Sequence, residues 1–280
     1  MRFTGTHPTR LAQHQDGDLF DLYRQIVLFD FHQEIRAGFF LSYYRNFAIP
    51  SIARTLAGRG EMQARPMKRS YDTGIVIHEI IANGFDSDRG QQMVELLRRV
   101  HRGVPGTSED FLYVLMTLLV LPLRWVDRHG WRKLTPREEE AAVAFYAELG
   151  ARMGLAPAPS TFADAEEFLD DYEARHMGPS PEGAQLLDAT VAALKNRLPR
   201  PLHRFTGTVL ALMMDKPEVA LALGLKPSPA WLRIPFDAIL WVRALRTRMQ
   251  PLPASPSFVS GGPVSHYPDG YTLDMIGPHS

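Results

Sequence analysis

Arg69 and Thr73 stand four residues apart, and His101 follows in the stretch Arg99-Val-His-Arg-Gly-Val-Pro-Gly106. Four residues is about one helical turn, so Arg69 and Thr73 can share a face. His101 is far enough along the chain to come from a second helix. A neutral imidazole can give one ring nitrogen to iron while a carbonyl or carboxylate holds the other. An arginine and a hydroxyl on the opposite side could polarise a bound oxygen species, and Arg98, Arg99 and Arg102 could meet carboxylates of a cofactor. The same residues also fit a plainer reading. His101 would then be a surface histidine favoured by the negative end of its helix, and Arg69 and Thr73 solvated positions beside Asp72.

Other chemistries fit less well. His78-Glu79 begins like a helical His-Glu-x-x-His zinc motif, but position 82 is Ala, so His78 reads as an ordinary helix histidine. A paired di-metal carboxylate site would want Glu three residues before His32, where Phe29 stands, so His32 reads as structural. Glu138, Glu139 and Glu140 are carboxylates at a helix start, where the dipole favours them. No Gly-x-Ser-x-Gly elbow and no phosphate loop ending in Gly-Lys-Ser/Thr occurs. The chain has no cysteine, which removes disulfides, thiolate ligation and cysteine nucleophiles. A cofactor must be held by His, carboxylate, Tyr or Met, or by shape.

The 280 residues carry 31 basic and 31 acidic side chains, so overall charge gives no case for nucleic acid. The N-terminus lacks the apolar core of a secretory signal, which makes a cytoplasmic location the expectation. The most apolar run, residues 111–121, falls short of the roughly 20 residues that span a bilayer and reads as a core helix with no transmembrane span.

Positioning these residues requires helices. Residues 1–17 read as an irregular N-terminal arm. Residues 18–47 carry a helical recurrence of apolar side chains, with a bend or break expected at Gly38. Shorter helices are expected over 51–57 and from about Arg69 to Asn83. Asp86 or Ser87 caps the next one, which stops at Gly103. Thr107 or Ser108 opens the apolar helix to residue 129. Thr135, Pro136 and Glu138 form a capping entry for the helix to Met153. Further helices fit the segments after Ser160-Thr161 and over 182–197, 201–214, 217–223 and 228–248. The expected fold is all-α, with one helical domain over 18–250 and an extended C-terminal tail over 251–280 packed on it.

Several blocks, in this order, carry a resemblance. They are Tyr44-x-x-Phe-Ala-Ile-Pro-Ser-Ile-Ala53, Lys68-Arg-Ser-Tyr-Asp-Thr73, Val100-His-Arg-Gly-Val-Pro-Gly106 and Asp110-Phe-Leu-Tyr-Val-Leu115. Pro122-Leu-Arg-Trp-Val-Asp-Arg-His-Gly-Trp-Arg132, Leu134-Thr-Pro-Arg-Glu-Glu139, residues 145–154, Asp171-Tyr-Glu, Ala222-Leu-Gly-Leu and Tyr267-Pro-Asp-Gly-Tyr271 follow. Together they resemble the superfamily of rubber oxygenases (latex clearing proteins) and mycophenolic-acid-pathway oxygenases. The resemblance implies a globin-like helical core and haem b, with His101 as proximal iron ligand and Arg69 and Thr73 in the haem pocket. It also implies dioxygen as co-substrate. The chain departs from the rubber oxygenases at Asp72, where they carry a lysine, and no counterpart of their upstream catalytic glutamate precedes Arg69.

The expected function is therefore a haem b-dependent oxygenase or oxidase acting on a lipophilic small molecule, isoprenoid-like or a secondary metabolite. Asp72 is either a pocket acid–base group or a helix-start carboxylate. Two alternatives stand beside this reading: a haem enzyme without net oxygen insertion (peroxide-using, dehydratase or isomerase), and a non-enzymatic helical binding module.

Overall fold

A computed structural model describes residues 18–58, 60, 64–196, 199–251 and 253–277. The expected N-terminal arm lies outside the described residues. Twelve α-helices are found among the described residues: α1 Leu19–Gln25, α2 His32–Arg45, α3 Pro50–Gly58, α4 Pro66–Asn83, α5 Asp88–His101, α6 Ser108–His129, α7 Pro136–Met153, α8 Phe162–His176, α9 Pro181–Lys195, α10 Thr206–Met213, α11 Pro217–Ala222 and α12 Ala230–Met249. A 3₁₀ segment, Arg200–Phe205, leads into α10. The described residues form no strand, only an isolated bridge between Val264 and Tyr267. None of their helices is long and apolar enough to cross a membrane. The fold is all-α and forms one domain.

Helix starts follow local chemistry. Ser87, Thr107, Thr135, Thr161 and Ser180 each accept a backbone N–H from the first turn of their helix. Thr107–Asp110 and Thr135–Glu138 complete reciprocal capping boxes. Glu138 also takes both Nη atoms of Arg132 at 2.7 Å, so it is a structural carboxylate. Pro66, Pro136, Pro181 and Pro217 occupy first helical positions, where the missing N–H costs nothing.

The break in the first long apolar stretch lies elsewhere than at Gly38. A π-helical turn, Ile26–Asp30, ends at Phe31 and divides α1 from α2. Gly38 sits inside α2 for a different reason. A Cβ there would lie 2.2 Å from Cα of Pro122, so its hydrogen is what lets α2 and α6 touch. Four residues further on, Ser42 Oγ donates to the Thr117 carbonyl at 2.6 Å, which fixes the two helices antiparallel. Apolar α6 is buried on nearly all sides, as its composition requires.

One charge cluster is buried in this core. Arg45 is 1% exposed and pairs with Glu173 of α8 and with Asp215. Burial alone would raise the Asp215 carboxyl, but the Arg45 guanidinium outweighs it and holds the carboxyl below its usual range.

Candidate functional site

Helices α4 and α5 form a hairpin. Gly84, at φ +85°, stops α4, and Ser87 opens α5. His101 lies 13 residues beyond Asp88, and Ser70 lies 13 residues before Asn83. At about 1.5 Å per residue, both are ~20 Å from the turn. The tail confirms this register. Gly277 N–H donates to Asp72 Oδ2 at 3.0 Å, and its carbonyl accepts from Lys68 Nζ at 2.9 Å. A Cβ on the same glycine would stand 3.5 Å from Leu96 Cδ1 of α5. The start of α4 and the end of α5 therefore share one end of the hairpin, and Arg69, Thr73 and His101 lie there together.

His101 is the last residue of α5. Its Nδ1 is 2.7 Å from the Leu97 carbonyl. A carbonyl only accepts, so Nδ1 carries the proton and, in the neutral ring, Nε2 carries the lone pair. Phe111, at the start of α6, meets the ring edge-on with centroids 6.1 Å apart. Arg69 Nη1 donates to Thr73 Oγ1 at 3.1 Å, and the Thr73 hydroxyl donates to the Arg69 carbonyl at 3.1 Å. The pair is half-buried and holds itself in one geometry. Nothing lies within 4 Å of where a Cβ would stand at Gly74 or Gly103, which leaves room beside Thr73 and beyond His101.

Asp72 belongs to a different face of α4. It is 2% exposed. Oδ2 takes Lys68 Nζ at 2.5 Å and the Gly277 amide, and Oδ1 takes the Tyr267 hydroxyl at 2.7 Å. Burial, then the bond to Asp72, pushes the Tyr267 phenol well above its usual range. Two turns further on, Glu79 repeats the arrangement on the same face. It is fully buried and accepts from Arg89, Tyr271, Ser260 and the Gly261 amide. Burial would raise the Glu79 carboxyl, but these donors together lower it. The tail is thus tied to α4 at two carboxylates, through the two tyrosines of Tyr267-Pro-Asp-Gly-Tyr271. A cavity of about 10 Å³ lies where Arg65, Lys68, Arg69, Asp72 and Gly277 meet. It has room for about one water.

Three neighbours of this site were not read as site residues from the sequence. Lys68 is bound to both Asp72 and the tail. Tyr43 of α2 reaches the Pro66 carbonyl at 3.3 Å. Burial pushes its phenol up to about 12, against the opposing effects of Thr190 and the Arg69 charge. Tyr267 was visible only as part of a block. Tyr43 and Tyr267 are distant from α4 in sequence, and their spacing carried no signal. His78 is packed between Phe39 and Phe258, with Nδ1 on the Gly74 carbonyl, and burial first of all lowers its pKa. His32 lies 3.3 Å from the Phe29 carbonyl.

Among the described residues no three His, Asp or Glu side chains converge to hold a bare metal ion. A single imidazole at a helix end, with its second nitrogen fixed by a carbonyl, suits a metal whose other ligands come from a macrocycle. The histidine and the arginine–hydroxyl pair thus stand toward one end of two consecutive helices of an all-helical domain. Residues 30–247 match the model of the "ER-bound oxygenase mpaB/B'/Rubber oxygenase, catalytic domain" family, and the chain belongs to that family. It is 29% identical over 271 residues to the ER-bound oxygenase mpaB' of Penicillium brevicompactum, covering 89% of this chain and 64% of the relative. The ER-bound oxygenase mpaB of Penicillium roqueforti (strain FM164) is 27% identical over 230 residues, 74% of this chain and 76% of the relative. The chain thus spans less than two thirds of the mpaB' protein. Latex clearing protein in its closed state shares the fold, with a TM-score of 0.67 at 19% identity, over 92% of this chain and 77% of that one.

Proposed function

We propose that this chain is a haem b-dependent oxygenase that carries the iron on Nε2 of His101, uses dioxygen and acts on a lipophilic small molecule. The observation that carries the reading is the 2.7 Å contact between His101 Nδ1 and the Leu97 carbonyl. It sets the tautomer and orientation that an iron ligand needs and raises the basicity of Nε2. The family's members named above are called oxygenases, which supports the reaction class. When bound, haem would supply one-electron chemistry and dioxygen activation. The chain's own residues divide the remaining work. Arg69 brings fixed positive charge where negative charge develops. Thr73 steadies the guanidinium by accepting from Nη1, and its hydroxyl can rotate from the Arg69 carbonyl toward the pocket. Arg98, Arg99 and Arg102 flank His101 in sequence and are exposed, donors of the kind that would suit propionates. Phe111 closes one side of the imidazole to water.

Asp72 enters as a positioning group for α4. Acting as a proton carrier would require its bonds to Tyr267 and Gly277 to open first. That observation favours, as a second reading, a haem reaction that needs no carboxylate base, such as a peroxide-using one. Oxygen uptake with lipophilic candidates separates the two.

The test is an absorption spectrum of wild type and His101→Ala, purified side by side with haem supplied. Wild type is expected to show a Soret band. The variant is expected to lose or shift it and to regain it with imidazole in the buffer. A wild type without the band ends the haem reading and leaves a binding module. A band unchanged in His101→Ala overturns the ligand assignment alone.

A further inference from the structure

Helix α12 carries apolar side chains on its outer side as well as its inner one, where Phe236 and Leu240 pack on the core. A surface helix ordinarily turns its apolar side to the core and its charges to water. Here the charged residues of the middle turns bond to the body of the protein from partly exposed positions. Arg233 donates to the Met214 carbonyl at 2.9 Å, Arg243 pairs with Glu34 at 2.7 Å, and Asp237 faces Arg128 at 3.7 Å. Only Ala244 of the helix is buried. The outward side carries Trp231, Ile234, Ile239, Trp241, Leu245 and Met249. Trp231 and Trp241 are 67% and 65% exposed, and Ile234 and Met249 each 74%. Their spacing places them on one side of the helix. Seven of the thirteen exposed large apolar side chains among the described residues lie on this helix. Clustering of that kind marks an interaction surface.

The margins of the patch identify its partner. At 100° per residue, exposed Arg246 and Arg248 fall toward opposite sides of the apolar stripe, and the helix's single acid, Asp237, is 40% exposed and already faces Arg128. The 3₁₀ segment before α10 repeats the theme. It exposes Leu202 and Phe205 beside Arg200 and Arg204, and Ser228 Oγ ties α10 to the approach of α12 through the Thr208 carbonyl at 3.1 Å. Apolar side chains rimmed by arginines match a bilayer surface with anionic headgroups. The two indoles lie ~15 Å apart along the helix, and their amphipathic rings suit the headgroup layer. Spanning is excluded, because five charged residues on α12 keep it from crossing. We infer that α12, with the 3₁₀ segment Arg200–Phe205, docks this protein peripherally on anionic membrane, with the helix lying in the plane of the interface. This holds whatever the oxygenase acts on.

The test is co-sedimentation of the full chain with phosphatidylcholine vesicles prepared with and without phosphatidylserine, alongside Trp231→Ser/Trp241→Ser and Arg246→Glu/Arg248→Glu. Wild type is expected to sediment with the phosphatidylserine vesicles, with a blue shift of indole emission, and to release as salt rises. Each double variant is expected to bind roughly tenfold more weakly or worse, with an unchanged melting temperature because the replaced side chains are exposed. Failure of wild type to bind these vesicles overturns the proposal, as does binding that neither variant weakens. If wild type is dimeric in solution and the tryptophan variant monomeric, a second copy is the occupant and the proposal fails.

Discussion

The Tyr267 hydroxyl donates a 2.7 Å hydrogen bond to the buried carboxylate of Asp72, joining residues 195 positions apart in the chain. The bond holds the tail against the turn of α4 that carries Arg69 and Thr73. Asp72 is at the same time the counter-ion of Lys68, so the tail, the lysine and the start of α4 are one unit.

Removing the donor should loosen that unit without abolishing the fold. Tyr267→Phe leaves Asp72 Oδ1 without its phenol and should cost about 1–3 kcal/mol. Asp72→Ala strands Lys68 beside the Gly277 carbonyl and should cost more, about 3–5 kcal/mol for breaking a buried pair. At about 2–4 °C per kcal/mol for a chain of this size, thermal melting separates the two. Limited proteolysis should cut within residues 251–277 first in both variants. Equal melting temperatures for wild type and Asp72→Ala would show that this carboxylate does not hold the tail.

Acid should destabilise the protein well before its carboxylates titrate. His129 is buried against Trp125, with ring centroids 4.3 Å apart. Burial, then the neighbouring Arg128, lowers its pKa to about 4. The unfolded chain takes up this proton near pH ~6.5 and the folded chain does not. Stability contributed by the neutral ring is therefore present above ~6.5 and lost as pH falls toward 4, amounting to about 3 kcal/mol when complete. Burial depresses His78 as well and adds to the slope in the same direction. The lowered carboxyl of Glu79 acts later, its contribution falling away below about pH 4.3. Denaturant unfolding of wild type and His129→Phe between pH 7 and 4.5 (about the window set by these shifts) should give a flatter profile for the variant. Parallel profiles would show that His129 is not the sensor.

Local chemistry made the helices legible. A hydroxyl before an apolar run with an acid three residues on, as at Thr107 and Thr135, fixes a helix start by itself. The hairpin of α4 and α5 follows from Gly84 and Ser87. Gly38 shows the limit of such reading: a glycine in a helical stretch signals either a break or a close neighbour, and only Pro122, supplied by a helix 84 positions later, decides which. The same holds for Asp72, whose partners lie in the tail. The pairing of Arg69 with Thr73 was legible because both lie on one turn.

Gly38→Ala should accordingly act through packing and not through helix propensity, which it improves. Its Cβ would fall 2.2 Å from a backbone atom of α6, so the two helices must separate. Overpacking of this kind costs about 1–3 kcal/mol, with more expected where backbone is the obstacle. A melting temperature at or above that of wild type would show that α2 and α6 do not meet at this point.

The Arg69 charge can be read independently of turnover. Carbon monoxide added to the reduced, haem-loaded protein would report the charge that Arg69 brings to the bound gas. A positive charge near the ligand draws electron density onto it and lowers the carbon–oxygen stretching frequency. Arg69→Ala should therefore raise that frequency while keeping the Soret band, because His101 and its bond to Leu97 are untouched. Arg69→Lys keeps the charge but loses the planar fork that reaches Thr73 Oγ1, and should fall between the two. Thr73→Val frees Nη1 from its hydroxyl partner and should broaden the band by releasing the guanidinium to several orientations. An infrared band unmoved by Arg69→Ala would place the arginine away from the iron and reduce its role to steadying the first turns of α4.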